Sequence, residues 1–190
     1  TKVGASDDSS AISYLRPETA QGMFVNFKNT VDAFHPKLPF GMAQIGKAFR
    51  NEIAPRDFIF RVREFEQMDV QYFCRPEDAD KYYEEWKTYR MDFFAEYLGF
   101  AKERLRWRQH EDDERAFYAR DAWDIEYDFA GMGFKEMEGL HNRGSYDLDQ
   151  HSKFSGQDLT YFDDATNEKF NPYIVESSGG FNRLFLSTLF

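Results

Sequence analysis

The sequence predicts an α+β domain, an antiparallel β-sheet flanked by helices. Three observations carry this. Strand-like segments follow one another directly instead of alternating with helices, as a doubly wound parallel sheet would require. The sequence holds no GxxxxGK[ST] run, so a P-loop architecture is unsupported. With 190 residues and 42 % hydrophobic content, the chain is long enough for one domain with a core of its own. Aromatic residues make up 18 %, including 21 Phe and 11 Tyr, so packing rests on large flat side chains.

Ala43 to Glu52 and Phe58 to Phe73 read as two strands joined by the loop Ile53-Ala54-Pro55-Arg56-Asp57. Pro76 suits a first helical turn. Tyr83, Trp86, Phe93, Phe94 and Tyr97 then fall on one face of a helix over 76–98, with Gly99 at its C-terminal cap. Lys102 to Gln109 reads as a basic strand and His110 to Arg120 as a short acidic helix. Ala122 to Phe129 and Gly133 to Leu140 read as a strand pair around Ala130-Gly131-Met132-Gly133. Residues 150–170 are polar and read as an exposed excursion. Asn171 to Ser178 reads as a strand, and Gly179-Gly180 as a turn into a helix from Asn182.

Charge and composition exclude several classes. The net charge is -10, which argues against a broad nucleic-acid surface but not against a small local one. One cysteine, Cys74, allows no intrachain disulfide and no cysteine-based zinc site. The histidines His35, His110, His141 and His151 lack metal-ligand spacing, so no zinc is expected. No apolar run reaches a membrane span of about 18 residues, and no signal layout opens the chain. A soluble cytoplasmic protein is the expectation. The polar opening and the uncapped apolar close at Leu184-Phe185-Leu186-Ser187-Thr188-Leu189-Phe190 lead us to expect a piece of a longer protein.

Chemistry concentrates around Phe49-Arg50-Asn51-Glu52 and the segment from Arg61. If 58–73 is one strand, Arg61, Arg63, Phe65, Gln67 and Asp69 share a face. Guanidiniums match phosphate oxygens in bidentate fashion. An aromatic face stacks a base, and a carboxylate about 13 Å from Phe65, at roughly 3.3 Å per residue, could hold an ammonium group. The order suits ATP beside a small amine. Arg104, Arg106 and Arg108 line another face opposite Trp107, and read as a salt-bridged exterior.

These motifs resemble the class II aminoacyl-tRNA synthetases. Phe49-Arg50-Asn51-Glu52, the loop and Arg61-x-x-x-Phe65 resemble motif 2 (about 45–73), and Gly180-Phe181-Asn182-Arg183-Leu184 resembles motif 3 (about 172–190). Arg16-Pro17-Glu18-Thr19-Ala20-Gln21-Gly22, Arg63-Glu64-Phe65-Glu66-Gln67-Met68-Asp69 and Glu176-Ser177-Ser178-Gly179-Gly180 resemble the glycine-specific, dimeric branch of that class. The resemblance spans nearly all of 1–190 and implies a catalytic core whose motif 1 and anticodon-binding domain lie outside this sequence.

The resemblance implies the following roles. Arg50 and Arg183 are catalytic, stabilising charge on the transferring phosphorus without any protein nucleophile. ATP is held by Arg50, Asn51, Glu52, Phe60, Arg61, Val62, Arg63, Phe65, Glu136, Met137, Gly180 and Arg183. Glu136 also serves a magnesium ion. The amino acid is held by Glu18, Phe65, Gln67, Asp69, Glu176 and Ser178, an acidic lining that makes sense only around a cation. Arg56 faces the tRNA acceptor end. The implied partners are glycine, ATP with Mg2+ and tRNA(Gly), in a homodimer. Asp69 stands where the family usually has Glu, Asn182 where it usually has an acid, and Ser177 and Gly179 where it usually has Pro and Ala. Two other readings use the same residues: a catalytically weak module binding nucleotide, amino acid or a partner protein, and a stand-alone AMP-forming ligase.

Overall fold

The computed structural model describes residues 13–190; the polar opening segment lies outside them. Six strands form one sheet, β1 (Phe40–Phe49), β2 (Glu64–Cys74), β3 (Leu105–Gln109), β4 (Asp121–Phe129), β5 (Gly133–Gly144) and β8 (Tyr173–Gly180), in the order β1-β2-β8-β5-β4-β3. Every neighbouring pair is antiparallel. A small hairpin, β6 (Tyr161–Asp163) with β7 (Glu168–Phe170), stands apart. The helices are α1 (Ala20–Phe34), α2 (Ala79–Asp92), α3 (Tyr146–Ser155) and α4 (Phe181–Ser187). The α+β expectation holds.

The period-2 alternation gives the sheet two faces. On one, Tyr72, Leu140 and Val175 pack under Tyr83 and Trp86 of α2. Further along, Phe94, Ile125, Phe129 and Met137 form a second cluster. On the other face, Phe73 and Ile174 meet Phe24 and Phe27 of α1 and Leu148 of α3. That covers only one end of the face. The remainder stays open and carries the candidate site.

α1 follows from apolar residues Met23, Phe24, Phe27 and Val31 on one helical stripe. α2 runs into a wider turn, Phe93–Tyr97, where the Leu98 N–H reaches back five residues to the Phe93 carbonyl. The extra residue shifts the stripe, which is why Tyr97, expected on the packed face, is 83 % exposed. Gly99 closes the turn at φ +73°, as its cap position requires.

Four expectations are corrected. The second strand begins at Glu64, not Phe58, because Phe58–Phe60 forms a tight turn and Arg56 bridges back to Arg61. Residues 110–120 are not helical. They run between β3 and β4 with His110 N–H bonded to the Ala122 carbonyl and Arg120 N–H to that of Asn142, so the sheet's own ladder satisfies their ends. Residues 150–170 hold the second half of α3 and the β6–β7 hairpin, anchored by Leu148, Leu159 and Tyr161. Gly179 and Gly180 belong to β8, opposite Met68 and Gln67. Arg106 and Arg108 pair with Glu126 and Glu114, and the Arg104 guanidinium donates to the Asp128 carbonyl, a tied-down exterior as expected.

Candidate active site

The open face is a cleft of about 270 Å³. β1 ends at Phe49 and hands Arg50 to its rim, β2 lays Phe65 and Gln67 along its floor with Asp69 just beneath, and β8 supplies Glu176 and Ser178 from the adjacent strand. The register sets Gln67 opposite Gly180 and Asp69 opposite Ser178.

At the rim, the Arg50 guanidinium lies 5.2 Å from the centre of the Phe65 ring. Arg61 Nε donates to Glu52 at 2.8 Å, and Arg63 Nε donates to the Glu52 carbonyl at 2.8 Å. Arg183 donates to the carbonyls of Glu136 (2.7 Å) and Phe60 (3.0 Å), and lies 3.2 Å from the Glu136 carboxylate. Cations and carboxylates thus neutralise one another at this rim, and an incoming polyphosphate would exchange those partners for its own oxygens.

At the other end the floor is buried and charged. Arg143, 1 % exposed, donates from Nη1 to both oxygens of Glu176 at 2.8 and 2.9 Å. Its Nε and Nη2 donate to Asp147 at 2.7 and 2.8 Å. Gln71 Nε2 adds a bond to Glu176 at 2.6 Å. Burial alone would raise the pKa of Glu176, but His141 and Arg143 outweigh it and hold the carboxyl down to about 2. His141 Nδ1 is 3.0 Å from Glu176 Oε2, a charge contact and not an aligned hydrogen bond. Asp69 is 1 % exposed, accepts from the Thr19 hydroxyl through one oxygen and, among the described residues, has no hydrogen-bond partner at the other. Burial, with Glu176 and Glu18 adding like charge, pushes its pKa up to about 6. Gln67 accepts from the Thr19 N–H at 3.2 Å and donates to Ser178 Oγ at 2.8 Å. Glu18 accepts from Gln21 at 2.7 Å.

Of the residues singled out in the sequence, Glu18, Arg50, Glu52, Phe60, Arg61, Val62, Phe65, Gln67, Glu136, Glu176, Ser178, Gly180 and Arg183 line this cleft. Asp69 sits just beneath its floor. Asn51, Arg56 and Arg63 are exposed outside the lining, and Arg61 and Arg63 precede β2 instead of sharing its ladder. The Met137 side chain packs in the apolar cluster behind the sheet, since the irregularity that sets Glu126 opposite Glu136 leaves it out of register. Among the described residues no group of three or more His, Cys, Asp or Glu is arranged to hold a metal ion. The lone Glu136 carboxylate fits magnesium only in the manner of a site completed by substrate phosphates.

Among the cleft residues to which the sequence reading gave no site role are His110, Tyr118 and His141. His141 shares the face of Gly139 and Arg143 by strand alternation, a signal visible once β5 extends to Gly144. Two departures also acquire a structural role. Asn182 accepts the Glu66 N–H at 2.9 Å and so fastens α4 to β2. Ser177 points behind the sheet, donating to Glu138 at 2.8 Å.

The family model for the class II tRNA synthetase core domain (G, H, P, S and T) matches residues 4–189. The chain belongs to that family. Glycine--tRNA ligase of Treponema denticola is 53 % identical over 184 residues, 96 % of this chain and 40 % of the relative. The enzymes of that name from Borreliella burgdorferi (strain ZS7) and Chlorobaculum tepidum are 51 % and 50 % identical over 100 % and 98 % of this chain and 43 % and 39 % of their own lengths. The class II core therefore spans about two fifths of the curated relatives it matches. A solved structure of Giardia lamblia prolyl-tRNA synthetase in complex with prolyl-adenylate superposes with a TM-score of 0.69 at 20 % identity, over 89 % of this chain and 32 % of the other. It supports the class II fold.

Proposed function

We propose that this chain is the catalytic core of a glycine–tRNA ligase, which activates glycine with ATP to glycyl-adenylate, releases pyrophosphate and transfers glycine to the 3′ end of tRNA(Gly). One observation carries the reading: the cleft joins an Arg50–Phe65–Arg183 rim to a buried acidic floor of Asp69 and Glu176, in a chain about half identical to glycine–tRNA ligases over its whole length. Phe65 stacks the adenine ring, with Phe60, Val62 and Gly180 beside the nucleotide and Glu52 accepting from its amino group. Arg50 faces the α-phosphate, where charge gathers as the substrate carboxylate attacks, and fixed positive charge there lowers the barrier. Arg61 and Arg183 leave their carboxylate partners to hold the terminal phosphates. Glu136 would hold a magnesium ion, which when bound would supply further charge neutralisation at the phosphates.

Glycine offers only its ammonium and carboxylate, so recognition falls on charge and on space. Glu18, Asp69 and Glu176 surround the ammonium position, and Gln67 and Ser178 close the floor beside it. Arg56 on the exposed motif 2 loop meets the tRNA acceptor end. The reading includes a cytoplasmic homodimer. β1 is an edge strand whose Ile45 is 68 % exposed, and no described helix is long and apolar enough to cross a membrane. Charging assays of the full-length protein with tRNA(Gly) test it. Glycylation that is lost in Arg183→Ala supports the assignment, and adenylate formation without any transfer to tRNA would shift it to a stand-alone AMP-forming ligase.

A further inference from the structure

His141 occupies a place in the cleft that the roles above do not use. It lies on β5 with Glu176 of β8 on one side, Nδ1 to Oε2 3.0 Å, and Asp124 of β4 on the other. His110, at the end of β3, bonds Asp124 at 2.7 Å and meets the His141 ring edge-on with centroids 6.1 Å apart. Tyr118, from the 110–120 segment, approaches at 6.5 Å, and Arg143 stands two residues along β5. The ring sits close over Gly139: a Cβ there would fall 2.7 Å from His141 Cε1 and 3.4 Å from Asp124 Oδ1, so the ring would have to shift. His141 Nδ1 is buried and has no aligned hydrogen bond among the described residues.

We propose that His141 is a positioning residue for the substrate amine: it steers the Glu176 carboxylate and, by carrying or losing its own charge, sets how much of that carboxylate's field reaches the ammonium position. The proposal rests on the glycine-activation reading. Glu176 already has one permanent cation, Arg143, which it shares with Asp147. A protonated His141 is a second, and it competes with the incoming ammonium for the same carboxylate.

The sign follows. Burial would lower the pKa of the ring, but Glu176 outweighs it and the pKa lies above the ordinary histidine value, with Asp124 acting in the same sense and Arg143 against. The ring is therefore charged near pH 6.5 and loses its proton as pH rises through that raised value. Amine binding should strengthen across that window, by up to about tenfold per pH unit for one fully coupled proton. The nucleotide end, lined by Arg50 and Arg183, should not follow.

Two measurements on the full-length protein test this. In ligand-free protein with labelled histidine, NMR should show the His141 midpoint falling in Glu176→Gln; an unmoved midpoint would mean the two are not coupled and would overturn the proposal. In ATP–pyrophosphate exchange followed upward in pH across the wild-type His141 midpoint found by NMR, the KM for glycine should fall more steeply with pH in the wild type than in His141→Gln, with the KM for ATP alike in both. Asp69, whose pKa burial pushes up to about 6, is present in both proteins, so its contribution is common to the two profiles. A slope as steep in His141→Gln as in the wild type overturns the proposal. No exchange with glycine at any pH overturns the function reading and the amine role with it, while a coupled NMR midpoint in the same protein would show that the seat of His141 was correctly read.

Discussion

Arg143 Nη1 stands 2.8 and 2.9 Å from the two oxygens of Glu176, and the same guanidinium is bonded by Asp147 on its far side. All three groups are nearly inaccessible to solvent. A guanidinium is tolerated there because two carboxylates satisfy its fork and Tyr118 covers its face at 4.0 Å. The triad carries one more negative than positive charge, which leaves the floor of the cleft ready for a cation.

Arg143→Leu would leave Glu176 and Asp147 buried without their cation. We expect a loss of about 3–5 kcal/mol of stability, read as a lower urea midpoint with little change in m-value. Arg143→Lys keeps the charge but not the fork, and should fall between that variant and the wild type.

Arg50 is exposed at the rim and packs on Phe65 without belonging to the core. Arg50→Ala should therefore leave the thermal midpoint nearly unchanged while adenylate formation drops by about 10²–10³-fold or more. Normal pyrophosphate exchange in that variant would remove Arg50 from the chemistry.

Phe65 is the ring proposed to stack the base. Stacking of a base on an aromatic ring contributes about 1–3 kcal/mol, so Phe65→Ala should raise the KM for ATP by about tenfold or more and affect glycine less. An unchanged ATP titration would place the base elsewhere.

Asp69 is a buried acid with a raised pKa, so its sign is opposite to that of a salt-bridged carboxylate. The folded protein binds this proton more tightly than the unfolded chain. Stability from it is fully present below the ordinary carboxylate range near 3.9 and is lost as pH rises through about 6. Asp69→Asn should accordingly unfold at higher urea than the wild type at pH 7.5, by up to about 3 kcal/mol, with the gap closing near pH 4. The same variant should need more glycine and no more ATP. A glycine titration identical to wild type would count against Asp69 as an amine-binding group.

The sequence reading and the structure part company for physical reasons. β2, β8 and α2 were legible because alternation and the aromatic stripe are local signals. The motif residues of the cleft were legible through their order along the chain. α1 went unread although Phe24 and Phe27 are spaced for a helix face. α3 was missed because Leu148 is its one buried apolar residue; Asp147, which serves Arg143, is the other. Residues 110–120 looked helical by their acidic run, but ladder bonds to Ala122 and Asn142, far away in sequence or across the sheet, decide their path. Arg143 and His141 could not be placed without knowing that β5 lies between β4 and β8.

The most direct test is ATP–pyrophosphate exchange by the full-length protein with each of the twenty amino acids in turn. The account predicts exchange with glycine, and rates far lower with alanine and serine, because they carry the same ammonium and the proposed recognition excludes anything larger by space. Robust exchange with another amino acid and none with glycine, or bound ATP with no exchange at all, would contradict it.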